Sequence, residues 1–220
     1  MRLCFIQAAG AIAVAVSLCA QEPKELDQKI SSPPGESQGL PPRAGPSDYS
    51  AQVKAGNVTI AAEFDGNAIP TTEGPLSTDK YVVVETALFG PGTLQLSSND
   101  FSLRINGKKA ALASQSYVLV QESVKDPNWA PPEKQEKSKT SFGTGGGDTS
   151  SSTPEPVKVP FELQRAMAQH VKQAALPEGG RTLPQAGLLF FPYRGKVTGI
   201  HSIELIYSGP AGNATLALQP

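Results

Sequence analysis

Apolar and polar residues alternate from Asn57 to Phe64, with Val58, Ile60, Ala62 and Phe64 on one parity and Asn57, Thr59, Ala61 and Glu63 on the other. A period of two predicts a half-buried strand, and Asp65-Gly66-Asn67 ends it. Tyr81–Phe89 is apolar on both parities, which suits a central strand covered more completely, and Gly90-Pro91-Gly92 stops it. Phe101, Leu103 and Ile105 alternate with Ser102 and Arg104 before Asn106-Gly107, a hairpin turn signal because both turn residues must take positive φ. Lys108 to Ala113 is expected to run back, and Tyr117 to Gln121 reads as another short strand. Leu188–Phe191, Ile203–Tyr207 and Ala214–Leu218 follow later, separated by turns at 194–196 and 209–213. Short strands with turn signals at such spacing predict a mainly β fold, an antiparallel β-sandwich.

One segment departs from that period. Leu163, Met167, Val171 and Ala174 recur at helical spacing, with Pro160 and Glu162 at the start and Pro177, Gly179 and Gly180 beyond the end. They predict one amphipathic helix near 160–176, lying against an edge or end of the sandwich.

Composition changes the picture at the chain's start and middle. The 220 residues hold 20 prolines and 21 glycines, largely in stretches that cannot build a core. Arg2 followed by the apolar run Leu3 to Leu18 reads as a secretory signal peptide over 1–20, with the cut after Ala20. The alternative is a lipoprotein anchored through Cys19, for which Leu18 is the wrong preceding residue. Both cysteines, Cys4 and Cys19, leave with a signal cut after Ala20, so the exported chain carries no thiol for a disulfide, a nucleophile or a metal. An exported chain is periplasmic or secreted, and no transmembrane span is expected in it.

Residues 21–47 hold six prolines and no apolar periodicity, and read as a disordered tether. A second polar stretch, 124–157, reads as a disordered loop interrupting one domain over 48–220. Its glycines at 143 and 145–147 lack the Gly-Lys-Ser/Thr ending of a phosphate loop and the strand and helix of a dinucleotide site.

Phe101-Ser102-Leu103-Arg104-Ile105-Asn106-Gly107 after a strand such as Tyr81–Phe89, then Gly187-Leu188-Leu189-Phe190-Phe191-Pro192 and Ile203–Tyr207, form a pattern. It resembles the telokin-like, immunoglobulin-like extracellular domains of unknown function in bacterial secreted proteins. The likeness spans about Tyr49 to Leu218, interrupted by the loop and the helix. It implies an immunoglobulin-like sandwich outside the cytoplasm and no catalytic residues to carry over.

Charge and chemistry narrow the function. A formal net charge of -1 points away from nucleic acid. The two histidines sit badly for a local metal site: His170 has Ala166 and Ala174 at the four-residue positions, and His201 and Glu204 lie three apart on an expected strand. Asp65-Gly66-Asn67 and Ser97-Ser98-Asn99-Asp100 read as turn chemistry rather than calcium ligands. No catalytic residue, metal or cofactor is expected. The expected interaction surface comprises Arg104, Lys108 and Lys109 at the hairpin, Trp129 in the polar loop, and Phe191 with Tyr193, one of whose neighbouring rings should face solvent. The chain is therefore expected to be a noncatalytic interaction module of the cell envelope, offering an edge strand to a protein partner. The alternative is a carbohydrate or small-ligand module, and a hydrolase using dispersed Ser, Asp and His ranks last.

Overall fold

In the computed structural model, which describes residues 37–130 and 159–220, the alternating run becomes the long arm of a hairpin. The two arms are β1 (Ala51–Ala55) and β2 (Val58–Gly66). The chain continues through β3 (Ala68–Ile69), β4 (Leu76–Thr78), β5 (Tyr81–Phe89), β6 (Thr93–Leu96), β7 (Phe101–Ile105) and β8 (Leu112–Ala113) to a short helix α1 (Tyr117–Val120) and β9 (Val124–Lys125). After the undescribed stretch come α2 (Phe161–Ala174), β10 (Gly179–Thr182), β11 (Gln185–Pro192), β12 (Ile203–Gly209) and β13 (Gly212–Leu218). The fold is mainly β, and among the described residues every ladder between named strands is antiparallel.

Two four-stranded sheets, ordered β1-β2-β5-β11 and β13-β12-β7-β8, face each other. Ile60, Ala62, Val82, Val84, Leu189 and Phe191 from the first pack on Phe101, Leu103, Ile203, Leu205, Tyr207 and Leu216 from the second. The register explains the mixed parity of Tyr81–Phe89, because the first sheet is buried on its outer face as well. Towards one end, Val83, Leu188 and Phe190 lie under Met167, Val171 and Ala174 of α2. Towards the other, Ala61, Ala87 and Ala186 stand in one cross-strand row, leaving a shallow floor that Tyr49 covers. The amphipathic face expected of the helix is thus spent on a sheet face rather than on an edge or end of the sandwich.

The outer edge of β11 is closed by three separate pieces of chain. Leu40, Leu176 and Gln115 donate backbone N–H bonds to the carbonyls of Ala186, Leu188 and Phe190 at 2.9, 3.0 and 2.8 Å. The Leu176 contact requires glycine opposite: a Cβ at Gly187 would stand 2.4 Å from the Leu176 Cα. It also ends α2, since Ala175 turns extended to reach this bridge.

Four expectations change. Tyr117–Gln121 is not a strand: Ser116 caps a helical turn by accepting from Val118 N–H, and the Gln121 amide donates to the Ala168 carbonyl of α2. Lys108–Ala113 returns as a strand only at Leu112–Ala113. The turn itself forms as expected, with Asn106 and Gly107 at positive φ, 52° and 64°, and the Lys108 N–H donating to the Ile105 carbonyl, while Asn106 also bonds to the 199–202 segment. Residues 37–47, assigned to the tether by their prolines, lie on the domain, and Val124–Lys125 pairs with β4 rather than starting the loop. The signal peptide, residues 21–36 and the glycine cluster lie outside the described residues.

Candidate binding surface

β11 runs out of the core at Pro192, and the next residue, Tyr193, is fixed by its N–H bond to the Lys80 carbonyl at 2.8 Å. Its ring folds back across Gly195, where a Cβ would lie 2.6 Å from the phenol oxygen. That close approach holds a half-buried tyrosine at the open end of the sandwich, its inner side against the core.

Two clefts share Tyr193 and Gly195. One is lined also by Lys108, Leu112 and Arg194, the other by Asn67, Thr78, Asp79 and Lys196. Lys108, Lys109, Arg194 and Lys196 are exposed and enter no ion pair among the described residues. Asp79, the acid of the second cleft, is paired with Lys125. The hairpin tip is pinned beside these loops, because Asn106 Oδ1 accepts from the N–H groups of His201 and Ser202 at 2.8 and 3.2 Å, and Nδ2 donates to the Gly199 carbonyl. The result is a preorganised cationic end with an aromatic ring in it, able to stack on a flat or pyranose face and to meet negative charge.

Of the residues singled out in the sequence, the structure brings together Lys108 and Tyr193, while Lys109 is exposed and lines neither cleft. Arg104 is elsewhere engaged: it sits opposite Glu204 on β12, and its guanidinium bonds that carboxylate at 2.7 Å. Phe191 is corrected outright, with no exposed surface, and Phe190 is buried as well. Two consecutive aromatics can both be buried here because both faces of their sheet are covered. Trp129 is half-buried in a separate turn at 126–129, where its N–H bonds the Asp126 carbonyl. His170 meets Glu73 of the 70–75 loop at 3.1 Å. Among the described residues, no three His, Cys, Asp or Glu side chains form a group that could hold a metal.

A second polar assembly was invisible in the sequence. Glu63 and Glu85 face each other across β2 and β5, a repulsive pairing, and Arg43 bridges them at 2.5 and 2.8 Å. The same guanidinium bonds the Asp48 carbonyl and lies 4.5 Å from the Tyr49 ring centre. A bulge between Phe64 and Gly66 places Asp65 near the two glutamates. Its Oδ2 is buried without a hydrogen-bond partner among the described residues. Burial, then the charges of Glu85 and Glu63, push the Asp65 carboxyl up to about 7. This cluster clasps the 37–49 segment onto the sheet. The acids come from two strands and the arginine from a proline-rich segment, so no local pattern announced it.

No family model, curated protein or solved structure matches the chain. Among the described residues, no helix is long and apolar enough to cross a membrane.

Proposed function

We propose that the chain is an exported, noncatalytic, immunoglobulin-like binding module of the cell envelope, and that its cationic end takes an anionic glycan. The observation that carries this reading is the convergence of Lys108, Arg194 and Lys196, which enter no ion pair among the described residues, on the held ring of Tyr193. Magnitude favours a repeating polymer over a lone small anion. Exposed charge contacts contribute about 0.2–1 kcal/mol each, so three such cations give weaker than about millimolar affinity for one unit, whereas repeated charges on one chain raise the effective concentration.

Affinity electrophoresis tests it. Polygalacturonate in the gel should retard the protein, dextran should not, and raised salt should abolish the effect. Lys108→Glu combined with Arg194→Glu should weaken retardation at least tenfold, and Tyr193→Ala should weaken it at constant charge. Equal retardation by dextran, or indifference to all three substitutions, sinks the proposal.

A protein partner is the second reading. Edge addition at β11 is blocked by the chain's own amides, so this reading rests instead on Val118 and Leu119 of α1, more than half exposed. Photo-cross-linking in native cells from Leu119 and from Lys108 separates the two: one envelope protein captured from Leu119, with no glycan adduct at Lys108, favours the protein.

A further inference from the structure

A different cleft, of about 370 Å³, opens beside the covered edge of β11, where segments from five parts of the chain meet. Ser37, Ser98, Ser116, Glu178 and Arg181 bring polar groups to its walls, and Leu188 and Phe190 lie behind them, each only 1% exposed. Small-ligand sites combine this range of volume with an apolar lining and a few fixed polar groups.

The polar groups are held in place. Ser98 Oγ donates to Glu178 Oε1 at 2.6 Å, and the Ser98 N–H points to the same oxygen at 3.4 Å. Arg181, also on the lining, donates from Nε to the Glu178 carbonyl at 3.1 Å. Ser37 Oγ donates to the Leu176 carbonyl. Ser114 lines the cleft, is 5% exposed, and its hydroxyl has no hydrogen-bond partner among the described residues. A buried hydroxyl left unpaired is a cost that an occupant can offset, here after rotation about one side-chain bond.

We propose that this cleft is a second binding site, for a single neutral sugar ring. A pyranose presents a girdle of hydroxyls, each both donor and acceptor, suited to serines, a carboxylate and a guanidinium. Glu178 and Arg181 both stand on the lining, so its charges balance, which favours a neutral occupant over an anion or a cation. The inference is independent of the reading of the cationic end.

Thermal unfolding of the full chain with glucose, galactose, mannose or N-acetylglucosamine tests it, with glycine and galacturonate as zwitterionic and anionic controls. One neutral sugar at tenfold excess over its Kd should raise Tm by about 3–5 °C. Glu178→Gln and Ser98→Ala, both changes at the rim, should each weaken that sugar at least tenfold. Lys108→Glu with Arg194→Glu should leave it unchanged, which separates failure here from failure at the cationic end. The proposal is overturned if no neutral sugar shifts Tm, if glycine or galacturonate alone does, or if the rim substitutions leave the shift intact.

Discussion

Asp65 makes stability fall as pH rises, and replacing it with asparagine should remove that slope. An ordinary aspartate loses its proton near 3.8, whereas folding pushes Asp65 up to about 7, first by burial and then through Glu85 and Glu63. Between those values the folded chain keeps a proton that the unfolded chain has released, so stability is full below the lower value and drains away up to the higher one. At about 1.4 kcal/mol per pH unit the whole displacement corresponds to roughly 4 kcal/mol, which partial exposure of the carboxyl reduces to about 2 kcal/mol. Asp65→Asn has no charge to bury and can donate to a neighbouring carboxylate. It should therefore match the parent near pH 4 and exceed it by about 2 kcal/mol at pH 8. In urea, with a slope of about 2 kcal/mol per molar, the midpoint at pH 8 should rise by about 1 M. An offset that does not change with pH, or a variant less stable at pH 8, refutes the assignment of a destabilising ionisation to this carboxyl.

Other outcomes follow from the same geometry. Phe191→Ala should cost about 3–5 kcal/mol in chemical unfolding, as expected of a ring inside the sandwich rather than on a platform. Arg43→Gln leaves Glu63 and Glu85 face to face; it should cost about 1–2 kcal/mol, and amide exchange should show it first at Leu40, whose N–H bonds the Ala186 carbonyl. Gly195→Ala should push the Tyr193 ring aside with under about 1 kcal/mol lost, because the obstructing atoms are the free end of a side chain, yet weaken polygalacturonate retardation.

The readable parts of the fold were those whose burial pattern is local. β2, β5, β7 and α2 each carry enough residues for a period to show, and the double parity of Tyr81–Phe89 already reflected a sheet with two covered faces. The two-residue strands β3, β8 and β9 exist only through their partners and have no period to read. Tyr117-Val118-Leu119-Val120 has strand-like composition, but a serine cap and the side of α2 decide for a helical turn. Proline content hid Leu40 and Arg43, because what docks them lies on β2, β5 and β11. At the candidate surface, Lys108 and Tyr193 were each visible as residue types. Their meeting in one cleft depends on β7 and β11 ending at the same end of the sandwich.

The three amides that close β11 come from residues 40, 115 and 176. Closure therefore waits on pieces of chain far apart in sequence, each of which must find the strand after loop-closing searches of very different length. During that interval an eight-residue strand rich in leucine and phenylalanine has a bare ladder of acceptors. A second molecule caught in the same interval offers the same ladder, so refolding should be a race between intramolecular capping and strand pairing between copies. Recovered monomer should fall with rising protein concentration, and most steeply in chains lacking the residue-40 segment.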